Sequence, residues 1–139
     1  MDEATPKRLL IGTPGAIRAL AGFLPPADPN TSSETPNGMC LWLAPDQWLL
    51  LGELPIASAG SAAILDVSAR WARFEAGAIQ LSAGCGLDLR EKNFAVGRCA
   101  QTRIEQVPAI VFRRAADRFE VFVERPLAQY FGCWLEGVT

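Results

Sequence analysis

The order of apolar and polar residues along the 139-residue chain predicts an α+β fold, with a mainly antiparallel sheet packed with two or three helices. The run Val107–Phe112 is almost unbroken in its apolar character, as is typical of a strand covered on both faces. From Phe119 to Glu124 apolar and acidic residues alternate, which indicates a strand with one polar face. Pro126 then suits the first turn of a helix. This helix is expected to bury one apolar stripe, made of Leu127, Tyr130, Phe131, Trp134 and Leu135.

The first half of the chain predicts a strand, a helix, a loop and a hairpin. Residues 8–24 predict a short strand and then a helix from about Pro14 to Phe23, for which Thr13 is a good N-cap. Residues 25–38 are rich in proline, serine, threonine and asparagine, and this composition predicts a flexible surface loop. Residues 40–51 form two apolar runs separated by Pro45-Asp46, a pattern typical of a hairpin.

The second half predicts further strands and a short helix. Residues 53–63 are small and rich in helix breakers, so we expect at most a helical turn or two there. Strands follow at 63–67 and 71–76, then a short helix at 77–84 that ends in Gly84-Cys85-Gly86. A loop over 90–96 leads into a strand at 99–105. The chain shows no internal repeat and has a length typical of one domain, so we predict a single domain over residues 1–139.

Composition excludes several classes of function. The net charge is −2 and basic residues form no cluster suited to nucleic acid. No apolar run reaches the ~20 residues of a membrane-spanning helix, and the first residues show no secretory signal pattern. We therefore expect a cytoplasmic protein that binds neither nucleic acid nor membrane.

The sequence contains no histidine, which excludes a Ser-His-Asp or Cys-His nucleophile and any histidine-ligated metal. None of the four cysteines lies in a Cys-x-x-Cys pair, which argues against zinc and dithiol chemistry. Their apolar neighbours favour buried reduced thiols at Cys40, Cys85, Cys99 and Cys133. We predict no catalytic, cofactor-binding or metal-binding residue on this chain.

Three weaker groups of residues each have a structural and a functional interpretation. Asp66 and Ser68 follow a strand, where active sites are often built, but an Asx-type turn explains them more simply. Arg98, Gln101 and Thr102 could hold an anion or a planar polar ring, although Gln101 and Thr102 are also ordinary residues of an edge strand. Arginines around one hairpin, at Arg113, Arg114 and Arg118, are typical of a solvated turn and are also favoured at protein interfaces.

Four large apolar residues exceed the evident needs of the core, and we take them as a candidate partner interface: Trp42, Trp48, Trp71 and Phe122. Trp42 and Trp48 flank the turn of the predicted hairpin, where core packing is the alternative explanation. Phe122 falls on the polar face of its strand, which suggests cover from another element or another chain.

Three blocks of sequence resemble the gamma subunit of heterotetrameric sarcosine oxidase: Leu41–Leu51 (LWLAPDQWLLL), Asp66–Phe74 (DVSARWARF) and Gly84–Leu135. The strongest matches are GC-x-LDL at Gly84–Leu89, GRCAQT at Gly97–Thr102, and FEVFVER with YFGCWLE between Phe119 and Glu136. The chain departs from the family pattern at Gly86, where proline is usual, and its 53–63 segment is shorter than the family's connection.

The resemblance implies a fold similar to the folate-binding domain of aminomethyltransferases. It also implies a non-catalytic accessory subunit of a flavin-dependent complex that demethylates sarcosine to glycine. The large alpha subunit would be the main partner, with the beta and delta subunits in the same assembly. FAD, FMN, NAD, zinc and tetrahydrofolate would be held by those partners.

Two alternatives remain open from the sequence. One is a small binding domain for a folate-type or pteridine-type ligand, by likeness to the aminomethyltransferase fold. Against transfer chemistry, the strand after Gln101-Thr102 carries no carboxylate at Pro108–Val111, where aminomethyltransferases use an acidic residue. The other alternative is an orphan module that associates with itself.

Overall fold

The computed structural model describes residues 5–138, which divide into two compact units. The first unit is Thr5–Ser68, and the second unit begins at Ala69. Each unit contains one antiparallel sheet and its own helix or helices. The single domain predicted over residues 1–139 stays a prediction, because two compact units can unfold together or separately.

The first unit contains a six-stranded sheet and one helix. Its elements are β1 (Arg8–Ile11), α1 (Pro14–Ala21), β2 (Ser32–Thr35), β3 (Gly38–Ala44), β4 (Gln47–Gly52), β5 (Ala57–Ala59) and β6 (Ala62–Asp66). The strand order is β2-β3-β4-β1-β6-β5, and all neighbours are antiparallel. The first strand of the chain therefore lies inside the sheet, between β4 and β6.

Helix α1 covers one face of this sheet through its buried Ile17. The predicted cap is confirmed, since the Thr13 side chain accepts a hydrogen bond from the Ala16 backbone N–H at 3.3 Å. Gly22 ends the helix in a left-handed conformation with φ of 87°, which glycine adopts without strain. The core on this face includes Leu10, Trp48, Leu50 and Ile64.

The second unit contains a four-stranded sheet and two helices. Its elements are β7 (Trp71–Ala76), α2 (Ala78–Ser82), β8 (Cys99–Ile104), β9 (Val107–Ala115), β10 (Arg118–Glu124) and α3 (Arg125–Gly137). The strand order is β7-β10-β9-β8, again antiparallel throughout. Here the last strand lies inside the sheet and pairs with both β7 and β9.

Helix α3 packs on this sheet through aromatic contacts. The rings of Phe74 on β7 and Phe131 on α3 meet edge to face, with centroids 5.0 Å apart. Gly132 lets the helix approach closely, because a Cβ there would lie 3.2 Å from the Phe74 ring. The same core includes Val111, Phe119, Val121 and Val123, the alternating inward residues of β9 and β10.

The predicted fold class is confirmed, with antiparallel sheets and three helices among the described residues. One segment was predicted wrongly, and in another a strand was missed. Residues 25–38 are not a loop throughout, because Ser32–Thr35 pairs with β3 as an edge strand, and an edge position accounts for its polar composition. Residues 53–63 contain no helical turn, since Ala57–Ala59 forms the strand β5.

The apolar stripe predicted for the last helix is only partly buried. Ala128, Phe131 and Leu135 face the core. Tyr130 is 55% exposed and Leu127 38% exposed, because a helix lying on a sheet buries only one arc of its circumference. Part of the stripe is therefore open apolar surface.

Candidate functional site

The four residues predicted to form a partner interface are for the most part interior. Trp48 is 1% exposed, Phe122 0% and Trp71 8%, so the prediction is wrong for these three because they offer almost no surface. Trp48 belongs to the core of the first unit, and its indole N–H donates to the Pro26 carbonyl at 2.8 Å. Trp42 is half-buried against the same core, and an interface role for it stays a prediction.

Asp66 and Ser68 form the turn that the simpler interpretation predicts. The Ser68 backbone N–H donates to Asp66 Oδ1 at 2.9 Å, and Arg8 Nη1 lies 3.1 Å from the same oxygen. These bonds, led by the one from the Ser68 backbone, lower the pKa of the Asp66 carboxyl below its ordinary 3.8. A carboxylate held ionised in this way caps a turn and has no features of a general acid or base.

Gln101 and Thr102 do line a cavity, and it contains groups that the sequence did not indicate. The cavity has a volume of about 160 Å³ and also includes Arg70, Trp71, Phe122 and Glu124, with Pro108–Ile110 from β9. Arg98 is not among its lining residues, and its carbonyl instead accepts a hydrogen bond from the Arg113 backbone at 3.0 Å. We call this space the Arg70–Glu124 cavity.

Strand register brings the charged side of this cavity together. Trp71 on β7 is directly opposite Glu124 on β10, which places Arg70 next to the Glu124 carboxylate. Arg70 Nη2 lies 3.2 Å from Glu124 Oε1, and its guanidinium carbon lies 4.4 Å from the centre of the Trp71 ring. The sequence offered no signal for this pairing, because 54 residues separate the two partners.

The arginines predicted to lie on a solvated hairpin turn differ in their burial and in their partners. Arg113 is buried and donates to the carbonyls of Leu89 and Phe94 at 2.8 and 2.9 Å, so it anchors the loop before β8. Arg114 pairs with the buried carboxylate of Glu120, to which Arg73 also donates. These are structural networks, because each buried charge has charged or carbonyl partners.

The large exposed apolar side chains of the second unit lie on α2, on α3 and at Val96 in the loop before β8. Ile79 on α2 is 86% exposed, and Tyr130 and Leu127 on α3 are the exposed part of the predicted stripe. A groove of about 410 Å³ runs beside these helices and is lined by residues such as Phe74, Gln80, Gly132 and Glu136. Exposed large apolar side chains of this kind mark the part of the second unit best suited to contact another protein.

The cysteines and carboxylates suggest no further chemistry. Cys40 and Cys99 are buried as predicted, whereas Cys85 is half-buried and Cys133 exposed. Within residues 5–138 no group of three or more histidine, cysteine, aspartate or glutamate residues is arranged to hold a metal ion. No helix in the same range has the length and apolar character to cross a membrane.

Together, the two antiparallel sheets and the three helices found within residues 5–138 define an α+β protein. The fold is also that of a chain in the solved structure of heterotetrameric sarcosine oxidase from Corynebacterium sp. U-96 in complex with pyrrole 2-carboxylate. The superposition has a TM-score of 0.83, with 24% sequence identity, and covers 95% of this chain and 77% of that chain. No protein-family model and no curated protein sequence matches the chain. At this identity, the likeness shows a shared fold.

Proposed function

We propose that this chain is a non-catalytic accessory subunit of a heterotetrameric, flavin-dependent sarcosine oxidase, docked onto the large alpha subunit. The observation that carries the proposal is the match of almost the whole chain to one chain of such a heterotetramer. In this proposal the beta and delta subunits belong to the same cytoplasmic assembly. FAD, FMN, NAD, zinc and tetrahydrofolate are held by the partners, where sarcosine is oxidised to glycine.

The chemistry of this chain supports an accessory role. It has no histidine to act as a general base at neutral pH. Asp66 is engaged in its turn, and Glu120 is paired with two arginines. These groups stabilise the fold and leave the reaction to other subunits.

The exposed apolar side chains of α2 and α3 supply the docking surface in this proposal. Protein interfaces are centred on large apolar and aromatic side chains, and a few of them carry most of the binding energy. Ile79 and Tyr130 are the best candidates for such anchors because each is exposed by more than half.

The test is co-expression of this chain with the alpha, beta and delta subunits of a sarcosine oxidase, followed by size-exclusion chromatography and an assay for sarcosine-dependent hydrogen peroxide. We expect one flavin-containing peak that includes this chain.

Ile79→Arg and Tyr130→Arg should each weaken association about tenfold or more, since losing an anchor costs over about 1.4 kcal/mol. Ile56→Arg is the matched control, because Ile56 is 64% exposed but lies in the first unit.

Elution of the chain as a separate monomer beside an intact flavoprotein would contradict the proposal. A homo-oligomer seen by light scattering would favour the self-associating module instead. A folate-type ligand does not fit the Arg70–Glu124 cavity. The Arg70–Glu124 cavity, at about 160 Å³, is below the roughly 300–1,000 Å³ typical of sites for drug-sized ligands.

A further inference from the structure

The Arg70–Glu124 cavity has one end built from opposite charges and a floor built from apolar side chains. Arg70 and Glu124 stand at the charged end, with side chains about half exposed at 53% and 49%. Exposed Pro108 and the small exposed parts of Trp71 and Ile110 supply the apolar lining, and Gln101 and Thr102 lie at the other end, on β8. A cavity of about 160 Å³ has room for about five water volumes, which suits a ligand of few heavy atoms.

The Arg70 guanidinium is held in place before any ligand binds, and only some of its N–H donors make hydrogen bonds to the described residues. It lies over the Trp71 ring, and its backbone carbonyl accepts a hydrogen bond from the Arg125 N–H at 2.8 Å. Within residues 5–138, its side chain donates one hydrogen bond, from Nη2 to Glu124. Since a guanidinium has five N–H donors in a planar fork, Arg70 retains donors for a second carboxylate.

The Glu124 carboxylate likewise has acceptor capacity that its hydrogen bond to Arg70 does not fill. It stands at the N-cap of α3, where a side-chain oxygen normally accepts a backbone N–H of the first turn, yet it makes no such cap bond. Its Oε1 instead accepts from Arg70. The carboxylate is therefore turned from the helix towards the cavity, and it keeps acceptor capacity for a cation.

We propose that this cavity binds a small amino acid in its zwitterionic form. The ligand's carboxylate would take the remaining donors of Arg70, and its ammonium group would donate to Glu124, with a small side chain over the apolar floor. An anion alone is repelled by Glu124 and a cation alone by Arg70, so the opposite charges select a ligand that carries both. The volume excludes large side chains. This binding goes beyond the accessory role proposed above, which needs no ligand on this chain.

The test is a titration of the ¹⁵N-labelled chain near pH 7 and low salt, followed by amide chemical shifts. The probes are glycine, alanine and N-methylglycine as zwitterions, acetate and methylammonium as single-charge controls, and phenylalanine as a size control. We expect the small zwitterions to shift the amides of Trp71, Gln101 and Ile110, and to bind about tenfold or more tightly than acetate, methylammonium or phenylalanine. Added salt should weaken the binding.

Charge-removing variants test the two recognition groups separately. Arg70→Gln and Glu124→Gln should each reduce glycine affinity about tenfold or more, since each leaves one ligand charge unpaired. Arg118→Gln is the matched control, because Arg118 is equally exposed and pairs with Glu75 outside the cavity. Its affinity should be unchanged, and the amide spectra of all three variants show whether they are folded.

Several results would overturn the inference: no shift of the cavity amides up to about 50 mM glycine, acetate binding as tightly as glycine, or unchanged affinity in Arg70→Gln and Glu124→Gln. None of them bears on the co-elution experiment, so the two proposals stand or fall separately.

Discussion

Each unit packs a helix on one face of an antiparallel sheet, and the two units differ in the aromatic residues of the core between helix and sheet. In the first unit, the core beneath α1 is mainly aliphatic, with Trp48 as its largest member, and the chain's first strand lies inside the sheet. In the second unit, the core beneath α3 is also mainly aliphatic, but its buried aromatic members are four phenylalanines, and the last strand lies inside the sheet. Either way, an antiparallel sheet buries one face under a helix, so the fold class does not depend on which residues fill the core.

The units also differ in how they treat charge. The buried Lys7 of the first unit donates to the carbonyls of Thr5 and Ser68. The second unit uses buried Arg113 in the same manner, and adds a buried carboxylate, Glu120, between two arginines. The second unit therefore buries charges of both signs, and it also contains the Arg70–Glu124 cavity.

The largest effects are expected from opening each core. Phe131→Ala in the second unit should lower the free energy of unfolding by about 3–5 kcal/mol, and Leu50→Ala in the first by about 2–5 kcal/mol, because each leaves a cavity. Urea unfolding followed by circular dichroism measures both. Tyr130→Ala and Leu24→Ala are the exposed controls, expected within about 0.5 kcal/mol of the parent.

The same two core variants test the single-domain prediction. If residues 1–139 unfold as one domain, both variants shift one common transition. If each variant shifts a different transition and leaves the other in place, the units unfold independently and the prediction is wrong.

A smaller effect is expected from the two glycines of the GC-x-LDL segment in the second unit. A Cβ at Gly84 would lie 2.6 Å from the Trp134 ring and 3.2 Å from the Glu105 backbone nitrogen. Gly84→Ala should therefore cost about 1–3 kcal/mol and change the near-ultraviolet signal of tryptophan. Gly86→Ala meets nothing within 4 Å, so it should be neutral or stabilise by up to about 1 kcal/mol. Equal losses in both would contradict the close approach of Trp134.

The smallest effects concern one aspartate in each unit. Hydrogen bonds from Ser68 lower the pKa of Asp66, and those from Arg90 hold the pKa of Asp88 well below its usual range. A carboxyl whose folded pKa is lowered stabilises the fold above its unfolded value of 3.8, and that stability is lost as pH falls through the folded pKa. Asp66→Asn and Asp88→Asn should each flatten the fall of the unfolding free energy below about pH 4. An unchanged slope would show that the carboxyl is not engaged in solution.

The sequence predicted features that depend on neighbouring residues only, such as helix caps and buried apolar runs. The N-cap at Thr13 and the doubly buried run of β9 are present. The polar face predicted for β10 is wrong, because Glu120 and Phe122 on that face are buried. The edge strands β2 and β5 escaped prediction because their short polar or small residues resemble a loop, and only pairing with β3 and β6 makes them strands. The burial of Arg113 was not predicted either, because the carbonyls to which it donates lie 19 and 24 residues away in the chain.

By itself the sequence determined the α+β class, the periodic strands and helices, and the absence of histidine chemistry, because propensity, period and composition act over a few residues. Only the tertiary structure decided that Trp48, Trp71 and Phe122 lie inside, and that Arg70 meets Glu124 beside Gln101. Burial and charge pairing depend on strand register across the sheet, and register is set by residues far apart in the chain.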